Sequence, residues 1–421
     1  MGELEDGKKV FVWGGLPGES VEVQLTKSKA SMAEGIVIEV TRASTRRQQP
    51  QDPQSYLSTS PWQIMSFEDE QAAKQALIDE AFALHHVDFK TPEVYTDNIQ
   101  YGYRNKVEFS WWWEHGAEDA GDEDAGQLDL AFFKRGSHGK QPVEGTSLAR
   151  PQINSLALAV RDLLRNKGVA ARSLKTLLIR CDRDGGCVWQ LYVKDKLADV
   201  VAEEEAAALP ARGGEVIYSD PKSPASRITE RLASFGDTVL HDSVLDVPFS
   251  YATEGFFQVN IPVYEQALRD MQPFVGDGPT LDLYSGVGSV GLTIGGRPLT
   301  LVEIDQHAFR EMESNIAGLD DTSSIHPILA PSEKALDAIS GEVTVIVDPP
   351  RAGLHQAVVD CLIKTKPRRI VYLSCNPVTQ ARDAALLLAG GYSISYGRGY
   401  NFFPRTPHIE HLIVLEIRAS A

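Results

Sequence analysis

Cys375 is the residue with the clearest potential for chemistry. It follows the apolar, strand-like run RIVYLS and precedes Asn376-Pro377 and a helical stretch. Asn is a good helix cap and Pro suits the first helical turn, so Cys375 is predicted where a strand meets a helix. The partial positive charge of a helix N-terminus stabilises a thiolate. A buried, inert cysteine is the alternative, but the polar, capped position favours a nucleophile.

Glu410 is a second candidate, at the start of the last strand-like run. A carboxylate at a strand edge could act as a general base, although an ordinary exposed glutamate is the alternative for this residue alone. The apolar run VTVIV ends in Asp348-Pro349-Pro350-Arg351. Two prolines stop a strand and fix a rigid loop, and we expect that loop to lie beside Cys375.

A glycine-rich turn marks a possible ligand site. The run TLDLYS leads into Gly286-Val287-Gly288, and these glycines allow a tight turn and close approach to a ligand. Glu303 follows Gly286 by 17 residues, near the spacing at which an acidic residue binds ribose hydroxyls. We expect an adenosine-type ligand without a pyrophosphate at this turn. A tight turn without any ligand is the alternative.

The elements that must position these residues alternate along the C-terminal part of the chain. From residue 280 onward, short apolar runs are separated by helical stretches. This alternation predicts an α/β fold of the Rossmann-like kind, a mostly parallel sheet with helices on both faces. Ligands of such sheets lie at the carboxyl ends of the strands, where the candidate residues fall.

The N-terminal part has a different pattern. Residues 8–42 alternate like short strands, and KKVFVW, GGLPGE and SVEVQLT predict a hairpin. Strands without a helix fit a small OB-like β-barrel, although the pattern alone leaves an unspecified β-subdomain open. Residues 43–61 are polar and predict a linker, and a helix is predicted over about 67–86.

The middle region, residues 100–250, mixes strands with a helix predicted at about 152–166. The aromatic run Trp111–Trp113 could stack bases, but packing within a sheet is the more common role of such residues. The acidic stretch 114–124 is typical of a solvated loop. A group of basic residues could contact phosphates or form a solvated face: Arg104, Lys106, Lys134, Arg135 and Lys140.

Composition limits the functional class. The 421 residues suggest two or three domains, and the net charge of −17 argues against a protein that grips phosphates over its whole surface. No apolar run approaches the roughly 20 residues that span a bilayer, and the N-terminus lacks the apolar core of a signal peptide. Four cysteines make no disulfide framework in so long a chain, so we expect a cytoplasmic protein.

Together these motifs resemble the RNA uridine C5-methyltransferase family, in its branch with an N-terminal TRAM domain. The likeness covers nearly the whole chain and is strongest over 256–416. It is carried by these stretches: Phe256-Phe257-Gln258-Val259-Asn260, DLYSGVGSVGL, the Asp348–Arg351 loop, Ser374–Pro377 and Phe403–Glu410. The front of the chain, VWGGLPGESVEVQLTKSKASMAEGIVIEV, is similar to the TRAM barrel.

The resemblance implies a mechanism and a domain plan. Cys375 would attack C6 of a uridine, C5 would take a methyl group from S-adenosylmethionine, and Glu410 would remove the C5 proton. The cofactor-binding positions implied are Gln258, Tyr284, Gly286, Gly288, Glu303 and Asp348. The domains would be a TRAM barrel over 1–45, a central α/β RNA-contacting region over 46–250, and a class I methyltransferase domain over 251–421. We expect a monomer that acts on 23S ribosomal RNA, with transfer RNA as the alternative.

The chain departs from the family pattern in three places. Many members hold an iron–sulfur cluster on cysteines before the first helix, but the stretch Tyr56–Gln63 has none, so no cluster and no metal are expected. Ser285 stands where cysteine is frequent, and Ser289 stands at a usual cofactor contact. The barrel's first strand is short or missing in the sequence. A non-catalytic RNA-binding protein, a base-amine methyltransferase and a cytosine C5-methyltransferase are the rival interpretations.

Overall fold

A computed structural model describes residues 1–114, 127–223 and 226–418. Residues 115–124 of the acidic stretch lie outside the described residues. The chain forms two compact units: residues 1–70, 100–240 and 405–407 make the first, and the remaining residues make the second. The three domain boundaries expected from the sequence stay predictions.

The described residues contain strands and helices that we number in chain order. The strands are β1 Gly2–Glu3, β2 Lys9–Trp13, β3 Ser20–Ser28, β4 Met32–Arg42, β5 Val94–Tyr95, β6 Lys106–Glu114, β7 Gln127–Phe133, β8 Lys140–Val143, β9 Leu174–Cys181, β10 Cys187–Val193, β11 Gly213–Tyr218, β12 Glu230–Gly236, β13 Val239–Val244, β14 Val247–Ala252, β15 Thr280–Leu283, β16 Leu299–Glu303, β17 Ile325–Leu329, β18 Thr344–Val347, β19 Arg369–Ser374, β20 Tyr392–Tyr400 and β21 Glu410–Ile417. The helices are α1 Tyr56–Thr59, α2 Phe67–Leu84, α3 Pro151–Asn166, α4 Glu203–Ala208, α5 Ile261–Val275, α6 Gly291–Ile294, α7 Gln306–Ala317, α8 Gln356–Thr365 and α9 Pro377–Ala389.

The first four strands form one sheet in the order β1-β2-β4-β3. The predicted hairpin of β2 with β3 is wrong, because β4 lies between them, parallel to β2 and antiparallel to β3. The connecting loop is shaped by Glu19, whose carboxylate accepts hydrogen bonds from the backbone N–H groups of Leu16 (2.8 Å) and Ser44 (3.1 Å) and pairs with Arg47. These contacts lower the Glu19 pKa to about 2 and bind the loop to residues that follow β4.

A seven-stranded sheet in the order β12-β11-β10-β9-β6-β7-β8 makes the rest of the first unit's β-structure. Trp111 on β6 is 2% exposed and lies in the core beneath α3, so it is a packing residue. Cys181 and Cys187 are paired across β9 and β10 and form a disulfide.

An eight-stranded sheet organises the second unit. Its order is β17-β16-β15-β18-β19-β21-β20-β5, and the neighbours from β17 to β19 are parallel. The penultimate strand in sequence, β20, and the last strand, β21, are antiparallel to each other, and β21 is antiparallel to β19. The central strands β15, β18 and β19 are almost wholly buried. The predicted mostly parallel α/β sheet is therefore confirmed. Within the described residues, no helix is long and apolar enough to cross a membrane.

Candidate active site

Cys375 lies between the end of β19 and the start of α9, as the sequence predicts. Asn376 caps the helix, because its side-chain oxygen accepts a hydrogen bond from the Val378 N–H at 3.2 Å. The same side chain donates through Nδ2 to the carbonyl oxygen of Arg351 at 2.9 Å. Cys375 itself is partly exposed. Cys375 therefore lies at a capped helix start and is partly exposed to solvent.

The loop Asp348–Arg351 is bound to the same helix start. The Thr379 hydroxyl donates to the Arg351 carbonyl oxygen at 3.2 Å, in addition to the bond from Asn376. The Arg351 guanidinium approaches Nδ1 of His408 at 3.5 Å. Its positive charge acts on both Cys375 and Glu410. The backbone contacts thus place one cation and Asp348 beside the thiol.

The thiol of Cys375 is not a ready-made thiolate, which corrects the expectation from the helix position. Burial, together with the charges of Glu410 and Asp348, raises its pKa to about 11 against the opposite effect of Arg351. The helix dipole and one arginine are therefore outweighed by partial removal from water and by two carboxylates. In the free protein the thiol is protonated at neutral pH.

The two carboxyl groups beside Cys375 are also perturbed. Glu410, at the start of β21, is 5% exposed. Burial raises its pKa well above the usual range, the charge of Asp348 adds to the rise, and Arg351 opposes it. Burial also raises the pKa of Asp348, to about 7. A carboxyl group with a raised pKa is a stronger proton acceptor once it is ionised.

A buried hydrogen-bonded pair, Gln380 and His411, joins the strand ends that carry Cys375 and Glu410. Nε2 of Gln380, on α9, donates to the carbonyl oxygens of Tyr372 on β19 and of His411 on β21, both at 2.9 Å. Its Oε1 accepts a hydrogen bond from Nδ1 of His411 at 2.7 Å. Both residues have no exposed surface. Gln380 thereby fixes the spacing of β19 and β21 next to the reactive residues.

The imidazole of His411 is neutral in this hydrogen-bonded pair. Burial lowers its pKa to about 3, so the ring stays uncharged at neutral pH. Because Nδ1 donates to Gln380, Nε2 is the acceptor, and it lies 3.3 Å from the Thr91 hydroxyl. The sequence reasoning missed both residues. A glutamine in the first turn of α9 and a histidine next to Glu410 were the available signals.

The glycine loop after β15 lies beside Glu303, at the end of β16. The Glu303 carboxylate accepts hydrogen bonds from the N–H groups of Gly286 (2.8 Å) and Asp305 (2.6 Å). Gly286 and Gly288 both have positive φ, at 57° and 87°, which favours glycine at these positions. A side chain at Gly286 would meet no atom within 4 Å, so the backbone here borders open space.

The two serines that depart from the family pattern have clear structural roles. The Ser285 hydroxyl donates to the Asp282 carbonyl oxygen (2.7 Å) and accepts from the Val302 N–H (2.9 Å), which joins β15 to β16. The Ser289 hydroxyl lies 2.9 Å from the Tyr264 hydroxyl. Both hydroxyl groups are therefore used to hold the loop.

Tyr284 and Gln258 are two further residues that we expect to contact the cofactor. Tyr284, with φ of 65°, begins the glycine loop, and its side chain contacts Ser332 and the backbone of His355. Gln258 is 8% exposed and follows Phe257, whose ring stacks on Tyr251 at 4.2 Å. The structure therefore presents the Tyr284 backbone, rather than its hydroxyl, to the loop.

The loop fits an adenosine-type cofactor. Beneath it, Oδ2 of Asp282 accepts from the Gly291 N–H at 2.9 Å, and Oδ1 is buried without a hydrogen-bond partner among the described residues. Burial raises the Asp282 pKa to about 8, so this group is mostly protonated at neutral pH. The open space at Gly286 and the neighbouring Glu303 carboxylate, which can accept from hydroxyl groups, suit a ribose.

The stretch that carries cluster ligands in many family members is occupied by a polar network here. The Asp52 carboxylate accepts hydrogen bonds from the Ser147 hydroxyl (2.8 Å) and from Nε2 of Gln63 (3.1 Å). Nε2 of Gln63 also donates to the Ser60 hydroxyl at 2.6 Å. These hydrogen bonds, together with α1, give the predicted linker a defined structure. The expectation that no iron–sulfur cluster binds stays a prediction.

Comparison with known proteins agrees with the geometry. Residues 335–418 match the tRNA (uracil-5-)-methyltransferase family and residues 1–38 match the TRAM domain. The chain is 29% identical to an uncharacterized RNA methyltransferase of Lactiplantibacillus plantarum, over 98% of this chain and 93% of the relative. It is 28% identical to one of Thermosynechococcus vestitus, over 99% and 94%.

A solved structure shares the whole architecture. The tRNA (uracil-54, C5)-methyltransferase of Pyrococcus abyssi, in complex with S-adenosyl-L-homocysteine, matches with a TM-score of 0.77 and 20% identity over 98% of each chain. At that identity the likeness concerns the fold, which is that of a class I methyltransferase. The chain thus carries a tRNA (uracil-5-)-methyltransferase family domain and a TRAM domain, and the relatives that it resembles over almost its whole length are named RNA methyltransferases.

Proposed function

We propose that this protein transfers a methyl group to C5 of one uridine in RNA, with Cys375 as nucleophile and Glu410 as general base. The observation that supports the proposal best is the meeting of four groups at one strand edge. The charges of Glu410, Asp348 and Arg351 all act on the Cys375 thiol. A thiol, a buried carboxyl group and a cation in one place suit addition to a pyrimidine ring followed by proton removal.

The proposed reaction begins with loss of the Cys375 proton, because the thiol is protonated in the free protein. The thiolate adds to C6 of the uridine and breaks the C5–C6 double bond, which makes C5 a carbon nucleophile. C5 then takes the methyl group from the sulfonium donor, whose S–CH3 bond breaks to leave a neutral thioether. Glu410 removes the remaining C5 proton, the double bond forms again, and the thiolate leaves by elimination. The net change is replacement of the C5 hydrogen by methyl, with one proton released.

Arg351 and Glu410 have complementary tasks in this scheme. Arg351 lowers the pKa of Cys375 and so favours the thiolate. Glu410 must be ionised to accept a proton, and its buried position makes the carboxylate a strong base. The uridine would reach these groups by leaving its base stack, which costs least in a loop.

The methyl donor we propose is S-adenosylmethionine, which supplies an electrophilic methyl group when bound. The residues that would hold it are Gln258, Tyr284, Gly286, Gly288, Glu303 and Asp348. Glu303 lies at the end of β16, where its carboxylate can accept from ribose hydroxyls. Gly286 and Gly288 let the backbone come close to the ligand. Both have positive φ, which glycine adopts without strain because it has no side chain.

For the target we propose 23S ribosomal RNA, in keeping with the TRAM-bearing branch that the motifs resemble. Transfer RNA is the second candidate, since the Pyrococcus abyssi enzyme of matching fold is a transfer-RNA methyltransferase. The two are separated by incubating the purified protein and methyl-labelled cofactor with ribosomal RNA and transfer RNA in separate reactions. Nucleoside mass spectrometry should find 5-methyluridine in the ribosomal fraction, and label only in transfer RNA would reverse the assignment.

The nucleophile is tested by trapping. RNA that carries 5-fluorouridine at the target should form a denaturation-resistant adduct with the wild type, because no base can remove a fluorine from C5. Cys375→Ala should form none, whereas Cys361→Ala, the other free cysteine, should form the adduct normally. An adduct on the Cys375→Ala variant would disprove the proposed nucleophile. Methylation that persists in that variant would instead favour base-amine chemistry.

The general base is tested by its own variant. Glu410→Gln should complete addition and methyl transfer on ordinary RNA, and should then accumulate the covalent adduct because the C5 proton stays in place. Glu416→Gln, on the same strand but partnered with Arg369, is the matched control and should turn over. Free turnover by the Glu410 variant would show that another group removes the proton.

A further inference from the structure

The carboxylate of Asp270, on α5 in the second unit, binds three side chains of β20. Its Oδ2 accepts hydrogen bonds from the Tyr400 hydroxyl at 2.7 Å, from Nη1 of Arg398 at 2.7 Å and from the Tyr396 hydroxyl at 3.4 Å. Residues two apart on a strand lie on the same face of the sheet, so these contacts bind one face of β20 to α5. Nε2 of Gln266, one turn earlier on α5, donates to Oδ1 at 2.8 Å and holds the carboxylate in place.

This contact is ionic and largely removed from water. The side chains of Asp270 and Arg398 are 14% and 20% exposed, and Tyr400 has no exposed surface. Burial opposes the charge of Arg398, but the hydrogen bond and the charge of Asp270 outweigh it and raise the Arg398 pKa above its usual value. Burial and the hydrogen bond to Asp270 also raise the pKa of Tyr400, so its hydroxyl stays a donor. A hydrogen bond to an ionised acceptor is stronger than one between neutral groups.

Tyr400 lies directly opposite Glu410 in the sheet. The register of β20 and β21 pairs these two residues, whereas Tyr396 is opposite Val414. Directly opposite residues of antiparallel strands place their Cβ atoms about 5 Å apart on one face of the sheet. The Tyr400 side chain therefore lies beside the proposed base, and its hydroxyl binds that position to α5. Because Glu410 begins β21, this pair stands at the end of the ladder, where side-chain contacts contribute more to the position of the strand.

The segment that follows Tyr400 is held by the same helix. Nδ2 of Asn260, the residue that precedes α5, donates to the carbonyl oxygen of Phe402 at 3.2 Å. The rings of Tyr264 and Phe402 meet edge to face, with their centroids 6.0 Å apart. Contacts along α5 thus fix the course of the chain from Tyr396 to Phe402.

We propose that Tyr400 is a positioning residue that holds Glu410 in the geometry for removal of the C5 proton, through its hydrogen bond to Asp270. This inference rests on the proposed function, because it takes Glu410 as the general base, and it adds a residue that acts through Glu410. A general base must lie within hydrogen-bond reach of the proton that it removes. Addition of Cys375 and methyl transfer both precede that step, so neither should depend on the Tyr400 hydroxyl.

Single-turnover kinetics on RNA with tritium at C5 of the target uridine test the proposal in the full-length protein. Quenching into denaturant gives the rate of covalent adduct formation, and released tritium gives the rate of proton removal. Tyr400→Phe keeps the ring and removes only the hydroxyl. It should slow tritium release about tenfold, because a small misplacement of a reacting group is costly. The rate of adduct formation should equal that of the wild type.

Tyr396→Phe is the matched control for this experiment. It also removes a hydroxyl bonded to Asp270, but at the position opposite Val414. Both of its rates should equal those of the wild type. Equal rates of tritium release in the two variants would overturn the proposal, because the position opposite Glu410 would then have no special effect. A parallel fall in adduct formation in Tyr400→Phe would overturn it too, because the whole site would then be disturbed.

Failure of this proposal is distinguishable from failure of the proposed function. Glu410→Gln reports on the base itself, and the adduct with 5-fluorouridine RNA reports on Cys375. If Glu410→Gln abolishes tritium release while the Tyr400 and Tyr396 variants behave alike, only the role of Tyr400 is rejected. Free tritium release by Glu410→Gln would reject the general base and with it this inference. Absence of the adduct in the wild type would reject the methylation mechanism.

Discussion

The hydrogen-bonded pair of Gln380 and His411 allows a direct test of what positions Cys375 relative to Glu410. Gln380→Leu keeps a side chain of similar size but removes three hydrogen bonds, two to the Tyr372 and His411 carbonyl oxygens and one from the His411 ring. At about 1 kcal/mol for each bond, the free energy of unfolding should fall by about 3 kcal/mol. The His411 N–H is then left buried without an acceptor.

The effect on catalysis should exceed the effect on binding. Tyr372 lies three residues before Cys375 and His411 follows Glu410, so loosening this contact changes the distance between the proposed nucleophile and the proposed base. Misplacement of reacting groups by about 1 Å lowers the rate roughly 100-fold. We therefore expect kcat to fall about 10- to 100-fold, with the KM for RNA changed less than about threefold.

The assay combines urea unfolding, steady-state methylation and the amount of trapped adduct. Gln356→Leu is the matched control, since Gln356 is an exposed helical glutamine whose side chain donates to Asp360 on its own helix. Slower proton removal should also increase the fraction of covalent adduct on ordinary RNA in the Gln380 variant. A variant with wild-type kcat and unchanged unfolding free energy would refute the positioning role.

Three further predictions follow from local contacts. Asn376→Ala should cost about 1 kcal/mol of stability through loss of the α9 cap, and should lower kcat because the Arg351 loop loses a hydrogen bond; urea unfolding and methylation kinetics measure both. Asp305→Ala should cost a similar amount, because its carboxylate caps α7 through two N–H groups at 2.9 Å, while S-adenosylmethionine turnover at saturation should change little. In a Cys361→Ser background, iodoacetamide labelling of Cys375 in the RNA-free protein should rise with pH to a midpoint near 11, since only the thiolate reacts; a midpoint at or below the usual pKa of 9 would contradict the electrostatic account.

The raised pKa of Cys375 also has a consequence for stability. Its folded-state pKa of about 11 lies above the usual value of 9, so the folded protein holds the proton more tightly than the unfolded chain. Stability from this group is present below pH 9 and is lost as the pH rises from 9 to 11. A loss of stability on acidification from pH 7 would have to come from other groups.

Much of the active site was predictable from the sequence because its signals are local. The strand–Cys–Asn–Pro order predicted a capped helix start at Cys375, and Asn376 does cap α9. The alternation of apolar runs predicted the parallel sheet, and the carboxyl ends of β15, β16, β18 and β19 carry the predicted motifs. Each inference rests on backbone preferences of a few adjacent residues.

The parts that were mispredicted depend on residues distant in sequence. The β2–β3 hairpin failed because β4 is long enough to pair with both strands, which no local turn signal reveals. The contacts of Gln380 also join residues that are distant in sequence. Gln380 meets His411 and Tyr372 only after α9, β19 and β21 have packed.

What the sequence by itself determined is the order of elements and the identity of the reactive groups at their ends, because caps, turns and periodicity act over a few residues. Tertiary structure decided the ionisation of those groups. Cys375 has the pKa of a buried thiol, rather than that of a helix-stabilised thiolate, because folding removes it from water and places Glu410 and Asp348 beside it. Solvation and charge proximity are properties of the packed chain, and no short stretch of sequence encodes them.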